Sequence, residues 1–281
     1  MTERLRFSPS ILTRLGEELV PDADQGVVEL VKNAYDADAT RCRVELSGTE
    51  NAGGSIRVVD NGAGMSDTDL KHGFLIVGRS RKDAASLTRQ FGRVTVGDKG
   101  LGRLSALRLG RRVRLVTRPQ SKPGVEFRIE LDWDAFDQAE AVEDVPIQLI
   151  ESASDLPHGT EIRIEQLRAP FSRGTANKLA RNLLLLSDPF RDADDRIGLE
   201  GDPGFSAELN APDFHDIQSK VESSYFKDAD FRIVGELDAR GVGKFSLLDW
   251  KGEVLHSGTS ERIYAAPILR FNLWHFILDK S

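Results

Sequence analysis

A helix predicted between residues 21 and 39 carries three polar side chains whose types could do chemistry. Glu29, Asn33 and Asp36 are spaced by four and three residues, so on a helix they share one face. Asparagine offers an oxygen to a hard cation, and glutamate can accept a proton from water. The pattern predicts metal and water chemistry along this face, although a merely solvated helix face would have the same composition.

A second group of polar residues lies at the end of a short apolar strand, residues 55–59. The strand runs into Asp60, which is followed by two glycines, Gly62 and Gly64, and then by Met65. A carboxylate at a strand end can accept the exocyclic amine of a purine, and glycines let the backbone approach something flat or bulky. An ordinary Asn-Gly turn is the alternative interpretation.

Two further motifs follow along the chain. The glycine-rich stretch GDKGLGR, residues 97–103, precedes a predicted helix, where backbone N–H groups could face an anion. It matches neither a Walker A sequence nor G-x-G-x-x-G, so by itself it also fits a flexible hinge. The last motif, residues 158–160, leads into an alternating strand, and the hydroxyl of Thr160 could bond to a base edge or its water.

Together the four motifs, in this order and spacing, resemble the nucleotide site of the GHKL ATPase superfamily. That superfamily includes gyrase, the ninety-kilodalton heat-shock chaperone, histidine kinases and MutL-type mismatch-repair proteins. The resemblance covers about residues 8–168 and is closest to MORC-like and chaperone-like bacterial ATPases. It implies a two-layer α/β sandwich of the Bergerat type, in which helices cover one face of a mixed, mostly antiparallel sheet. It also implies ATP and Mg²⁺ as ligands.

The resemblance assigns a role to each matching residue. Glu29 would be the general base that activates the attacking water, Asn33 would coordinate Mg²⁺, and Asp36 would position metal-bound waters or the nucleotide. Asp60 would bind the adenine amine, and Thr160 would complete the adenine side. The other implied nucleotide contacts are Gly62, Gly64 and Met65 at the adenine, and Lys99, Gly100, Leu101, Gly102 and Arg103 at the phosphate-binding end of a lid.

The element pattern predicts a nucleotide-binding domain over residues 1–188, with the lid at residues 78–103. The Asp-, Gly- and Pro-rich segment 189–213 is predicted to be a linker, and residues 214–281 a smaller, partial, transducer-like α+β domain. The predicted helices are 8–19, 21–39, 66–77, 101–109 and 175–187, and the predicted strands are 42–46, 55–59, 113–117, 125–131, 146–150, 160–167, 231–237, 244–248 and 263–268.

Composition excludes several classes of protein. The 281 residues suit one large or two modest domains, and the single cysteine, Cys42, rules out an internal disulfide. Cys42 is predicted to be a packed core thiol. No apolar run is long enough to span a bilayer, and the first residues lack the apolar stretch of a secretory signal. We therefore expect a cytoplasmic protein that has no membrane partner.

Charge is unevenly distributed along the chain. The formal net charge is −7, yet residues 79–118 contain twelve basic and two acidic residues. The basic residues up to 103 suit a lid and its phosphate contacts. Those beyond it could contact DNA, although a solvated strand edge is the simpler reading, and they are Arg108, Arg111, Arg112, Arg114 and Arg118.

The function predicted from the resemblance is a slow, Mg²⁺-dependent ATPase whose lid closure drives reversible homodimerisation. Residues 1–7 would form a strap onto the partner subunit, and the switch would control a DNA- or protein-directed process through DNA or an effector protein. A histidine-kinase-type catalytic domain is one alternative, but none of the five histidines lies in a helix upstream of residue 20. A non-hydrolysing ATP sensor is another, and such a module would not need Glu29.

Overall fold

The computed structural model describes residues 6–12, 22–76, 87–96, 106–186, 202–214, 217, 230–237, 240–249, 251–263 and 269–275. The chain divides into two compact units, Met1–Gln218 and Ser219–Ser281. No helix within the described ranges is long and apolar enough to cross a membrane.

The first unit is built on a seven-stranded sheet in the order β5-β4-β3-β6-β2-β1-β7. Neighbouring strands are antiparallel except β1 and β7, which are parallel. Its strands are β1 (Arg41–Ser47), β2 (Ser55–Asp60), β3 (Gly110–Arg118), β4 (Val125–Asp132), β5 (Leu149–Ala153), β6 (Gly159–Leu167) and β7 (Ser206–Asn210). Helices pack on this mixed, mostly antiparallel sheet, so the predicted α/β sandwich is confirmed.

The strands form because apolar and charged residues alternate along them. In β1, Cys42, Val44 and Leu46 are fully buried, while Arg41 and Arg43 are exposed. The prediction that Cys42 is a core thiol is therefore confirmed, and burial raises the pKa of this thiol well above its ordinary value. The same alternation in β2, β3, β4 and β6 gives the sheet one apolar and one charged face.

The first unit contains the helices α1 (Ala23–Asp36), α2 (Asp67–Asp69), α3 (Trp133–Gln138) and α4 (Arg173–Leu186). One side of α1 lies in the core, because Val27, Val31 and Ala34 are buried. This helix packs on α4 and on strands β1 and β2. It ends where Asp38 takes a positive φ of 59°.

The predicted helix over residues 66–77 is wrong in its extent. Ser66 caps a single α-helical turn, α2, in a capping box with Asp69. The chain then continues as a π-helix, Leu70–Phe74, and Leu75 N donates to Leu70 O at 2.9 Å. Gly73 lies inside this turn, and glycine disfavours a regular α-helix.

The segment predicted to be a linker contains a strand of the main sheet. Strand β7 pairs in parallel with β1, and Phe205 and Leu209 are buried. The many Asp, Gly and Pro residues around it suggested a linker, but a parallel partner more than 150 residues earlier in the chain leaves no local signal. Residues 202–214 therefore belong to the first unit, to whose core they contribute Phe205 and Leu209.

The described residues of the N-terminal segment contact residues 142–144 of the same chain. The guanidinium of Arg6 forms an ion pair with the carboxylate of Asp144, and the carbonyl oxygen of Phe7 accepts a hydrogen bond from Val142 N at 2.9 Å. Residues 6 and 7 of the strap predicted from the resemblance thus contact the same subunit.

The second unit contains a four-stranded antiparallel sheet in the order β10-β9-β8-β11. The predicted strands 231–237 and 244–248 correspond to β8 and β9, whereas residues 254–262 were not predicted to be a strand, and residues 264–268 lie outside the described residues. The strands are β8 (Phe231–Leu237), β9 (Val242–Asp249), β10 (Val254–Ile263) and β11 (Leu269–His275). The transducer-like character of this unit stays a prediction.

Candidate functional site

Asp60 is the last residue of β2, where it faces Cys42 on β1 and Thr160 on β6. One carboxylate oxygen, Oδ1, accepts hydrogen bonds from Gly62 N at 2.8 Å and from Thr160 N at 3.2 Å. The other oxygen, Oδ2, accepts none from the residues that the structure describes. The backbone thus orients the carboxylate and leaves one acceptor for a donor from outside.

Burial changes the acidity of this carboxyl group. Desolvation raises the pKa of Asp60 from the ordinary 3.8 to about 6, against the opposing effects of the two backbone hydrogen bonds and of the charges on Arg118 and His158. The group is therefore mostly ionised at pH 7, in the form that accepts hydrogen bonds.

The raised pKa of Asp60 predicts a pH-dependent stability. Between about pH 4 and pH 6 the folded chain binds more protons here than the unfolded chain, so this contribution is complete below pH 4 and is lost as the pH rises through 6. Relative to Asp60→Asn, the parent should lose about 2 kcal/mol of unfolding free energy between pH 4 and pH 7. Chemical denaturation of both proteins across this range measures the difference. If the unfolding free energies of the two proteins changed with pH in parallel, the pKa of Asp60 would not be raised.

The two glycines after Asp60 allow close backbone contacts within the protein. Gly64 has φ +65°, and a Cβ built on it would lie 2.1 Å from the carbonyl oxygen of Arg118. A Cβ on Gly62 would lie 2.8 Å from the carbonyl oxygen of Ala37, at the end of α1. The glycines were predicted to admit a bulky ligand, and what they approach here is the backbone of β3 and of α1.

Replacement of Gly64 by alanine should be strongly destabilising. Gly92 has the same φ of +65° but no atom within 4 Å of a built Cβ, which makes Gly92→Ala the matched control. Backbone strain alone should cost Gly92→Ala about 1–2 kcal/mol, and the clash with Arg118 should add about 1–3 kcal/mol for Gly64→Ala. Thermal unfolding measures both variants, and equal losses would show that the close approach is unimportant.

The adenine-side residues predicted from the sequence meet at one place. Thr160 is buried and its Oγ1 lies 3.2 Å from Oγ1 of Thr117. The hydroxyl of Thr117 also accepts a hydrogen bond from Met65 N at 2.8 Å. Asp60, Gly62, Gly64, Met65 and Thr160 therefore form one cluster across strands β2, β3 and β6.

Two residues of this cluster were given no role from the sequence. Thr117 is fully buried and joins Met65 to Thr160, and the available signal was a polar residue ending the core-facing row Val113, Leu115, Thr117. His158 Nδ1 donates to the carbonyl oxygen of Gly62 at 2.8 Å. Its position directly before Gly159-Thr160 was visible in the sequence, but its contact across β2 was not.

The polar face of α1 carries the other predicted residues. Glu29 Oε1 pairs with Lys32 Nζ at 2.7 Å, and both side chains are about one-quarter exposed. The side chain of Asn33 is exposed and makes no hydrogen bond with the described residues. Asp36 Oδ1 accepts a hydrogen bond from Val96 N at 2.9 Å. Lys32 was missed, although a lysine three residues after a glutamate on a helix is a recognised pairing distance.

The cluster around Asp60 and the polar face of α1 are connected at the C-terminal end of α1. Ala63 N donates to the carbonyl oxygen of Ala37 at 2.8 Å. The side-chain oxygen of Asn61 accepts hydrogen bonds from Thr40 N and Arg41 N, each at 2.9 Å. The loop after Asp60 is thereby fixed to the helix that carries Glu29 and Asn33.

The predicted phosphate-binding residues Lys99, Gly100, Leu101, Gly102 and Arg103 lie outside the described residues. Their nearest described neighbours in the chain both contact α1. Val96 bonds to Asp36 near the C-terminal end, and Ala106 approaches Gly26 so closely that a Cβ on Gly26 would lie 3.2 Å from Ala106 N.

The five arginines considered for DNA contact all lie within 4.0 Å of a carboxylate. Four of the acidic partners are on β4 or the start of α3, so the hairpin β3–β4 pairs a basic strand with an acidic one. The pairs are Arg108–Asp137, Arg111–Asp134, Arg112–Asp132, Arg114–Glu130 and Arg118–Glu126. This arrangement favours a solvated, internally neutralised surface over a DNA contact at these residues.

The mixed, mostly antiparallel sheet with helices packed on it is consistent with the GHKL-type α/β sandwich that the sequence motifs resemble. Residues 23–160 match the family model described as histidine kinase-, DNA gyrase B- and HSP90-like ATPase. Over this region, about half of its length, the chain is similar to that family.

Two curated relatives are similar to part of the chain. One, assigned as the type II restriction enzyme HgiDII of Herpetosiphon aurantiacus, is 27% identical over 177 residues, which is 63% of this chain and 28% of that protein. The DNA mismatch repair protein MutL of Acidiphilium cryptum (strain JF-5) is 29% identical over 182 residues, 64% of this chain and 30% of that protein. The chain thus matches less than a third of the length of either relative.

Proposed function

We propose that this chain binds ATP with Mg²⁺ and hydrolyses it slowly, and that the nucleotide controls reversible homodimerisation. The observation that carries the proposal is the carboxylate of Asp60, which the backbone orients through Oδ1 while Oδ2 accepts no hydrogen bond from the described residues. A purine amine is a fitting donor for that oxygen, and the match of residues 23–160 to an ATPase family model supports ATP as the nucleotide.

The polar face of α1 would serve the phosphate end. Glu29 would take the proton of the attacking water, and Lys32 would hold its carboxylate in place until the nucleotide is bound. Asp36 would accept the hydrogen bond from Val96 N and so position the start of the glycine-rich stretch, which begins at the next residue. The predicted phosphate contacts of residues 99–103 complete the proposed site. Phosphoryl transfer depends chiefly on such positioning and on charge neutralisation.

Asn33 fits a Mg²⁺ ligand because its exposed carboxamide has no partner among the described residues. No group of three His, Cys, Asp or Glu side chains in the described ranges could hold a metal by itself. Mg²⁺ typically takes one or two protein oxygens together with phosphates and water. When bound, Mg²⁺ would neutralise phosphate charge, and the contribution of Asn33 would be one oriented oxygen.

The switch function and its client are proposed from the family and its relatives. Relatives named for DNA restriction and DNA mismatch repair support a DNA- or effector-directed process, with this chain as its ATP-dependent part. A MORC-like assignment, the homodimer and the N-terminal strap predicted at residues 1–7 belong to the same proposal. Hydrolysis needs a base that activates water, and Glu29 would serve as that base. A histidine kinase or a non-hydrolysing sensor would not need it.

ATP binding and turnover of the purified chain, with and without Mg²⁺, test this proposal. Binding and Mg²⁺-dependent turnover are expected in the parent, and Asn33→Ala should lose the Mg²⁺ dependence of both. Gln25, an exposed residue on the same helix, provides the control Gln25→Ala, which should behave as the parent. Sedimentation should be faster with a non-hydrolysable ATP analogue than with ADP. Absence of ATP binding would refute the proposal, and equal sedimentation would remove the dimer from it.

A further inference from the structure

Residues 87–96 form a turn that is held to the rest of the protein by polar contacts. Leu87 and Val94 form an isolated antiparallel bridge, and both side chains are more than 60% exposed. Within the turn, Thr88 N donates to the carbonyl oxygen of Arg93 at 2.8 Å. Arg93 itself is only 2% exposed, so the residue that enters the interior is a charged one.

The guanidinium of Arg93 contacts three separate parts of the first unit. Its Nε and Nη2 donate to the two carboxylate oxygens of Asp202, at 2.9 and 2.6 Å. Its Nη1 donates to the carbonyl oxygen of Ala39 at 2.6 Å, just beyond α1. The planar group also lies 4.9 Å from the ring centre of Tyr35 and 4.7 Å from that of Phe91.

Two carboxylates at the C-terminal end of α1 also accept hydrogen bonds from the turn 87–96. Asp38 is buried and accepts hydrogen bonds from Gln90 N at 2.8 Å and Phe91 N at 3.3 Å. Asp36 accepts the hydrogen bond from Val96 N. The turn 87–96 is thus attached to the helix that carries Glu29 and Asn33, and Asp202 attaches it to the segment before β7.

We infer that Arg93 is a positioning residue for the proposed ATPase reaction, which locks the turn 87–96 between the C-terminal end of α1 and Asp202. The inference rests on the proposed function. A bidentate arginine–carboxylate pair whose guanidinium also lies over two aromatic rings restricts the orientation of the turn. We infer that this contact fixes the position at which Val96 meets Asp36 on α1. The adenine-side cluster around Asp60 does not depend on this contact.

Arg93→Lys keeps the charge but loses the paired hydrogen bonds and the planar stacking, which makes it the informative variant. The matched control is Arg43→Lys. Arg43 also donates to a carboxylate, that of Glu208 on β7 at 3.1 Å, but this pair lies at the exposed surface. Asp202→Asn removes the partner charge instead, and it serves as the second variant should Arg93→Lys fail to fold.

Three measurements on folded variants test the inference. Hydrogen exchange at the amides of Gln90, Phe91 and Val96 should be faster in Arg93→Lys, because the anchor is weakened. Affinity for adenosine should stay within about twofold of the parent, while turnover of ATP should fall by about ten- to a hundredfold, as expected when reacting groups are misplaced by about 1 Å. Arg43→Lys should match the parent in all three. In the double variant, Asp202→Asn should add nothing to the loss caused by Arg93→Lys.

The inference and the proposed function fail in different ways. A parent that binds no ATP refutes the proposed function, and the exchange data alone then decide whether Arg93 anchors the turn. Unchanged exchange in Arg93→Lys overturns the anchor. Faster exchange with parental turnover overturns the positioning role, and loss of adenosine affinity equal to the loss of turnover would show a general structural defect instead.

Discussion

Replacing Glu29 by glutamine should leave ATP binding intact and reduce turnover by a factor of about 10²–10⁴, the usual contribution of a general base. The glutamine keeps the size and polarity of the side chain but cannot accept the proton of the attacking water. Its carbonyl oxygen can still accept the hydrogen bond that Lys32 Nζ donates at 2.7 Å, so the local structure of α1 should survive. Steady-state phosphate release and equilibrium nucleotide binding, measured on the same preparation, check the two halves of this expectation.

Lys32→Gln provides the control for Glu29. It breaks the same ion pair yet retains the carboxylate, so it separates loss of the base from loss of the pair. A modest fall in turnover is expected, because a partly exposed ion pair contributes only about 0–1 kcal/mol. If Lys32→Gln were as inactive as Glu29→Gln, or if Glu29→Gln turned over ATP at the parental rate, Glu29 would not be the base.

Replacing Asp60 by asparagine should weaken ATP binding by about a hundredfold, because a hydrogen bond to a charged acceptor is lost and a donor faces a donor. Asparagine can keep its oxygen at the position of Oδ1, where Gly62 N and Thr160 N donate. Its amide nitrogen then replaces Oδ2, the oxygen without a partner among the described residues. The fold should survive, which circular dichroism and thermal unfolding can verify before binding is measured by calorimetry.

A change of ligand provides the control for Asp60. Inosine triphosphate has an oxygen where adenine has its amine, so it removes the proposed donor from the nucleotide. The parent should prefer ATP to inosine triphosphate, and Asp60→Asn should lose that preference. Equal affinity of the parent for both nucleotides would mean that Asp60 does not bind the amine.

The local patterns predicted most of the first unit well, because each element there depends on neighbours in the chain. The apolar residues of α1 recur at helical spacing, and the alternation in β1 and β2 has the period of a half-buried strand. Both groups of candidate site residues could be proposed from the sequence because each occupies a few consecutive turns or one strand end.

The features that were missed depend on contacts between distant residues. Strand β7 lies in a segment of turn-forming residues and is stabilised by its pairing with β1. The bond between Arg93 and Asp202 joins residues 109 positions apart, and neither residue differs locally from any other surface charge. The role of Thr117 likewise follows from the register that places it opposite Thr160, which the sequence of β3 does not determine.

The pairing of basic β3 with acidic β4 has a consequence for the electric field around the protein. Along the chain the basic stretch looks like a cationic patch, but across the hairpin each charge lies beside its opposite. The potentials of such adjacent charges largely cancel within a Debye length, roughly 8 Å at physiological ionic strength. This face of the sheet should therefore exert little long-range attraction on polyanions, and added salt should change its encounters with them only weakly.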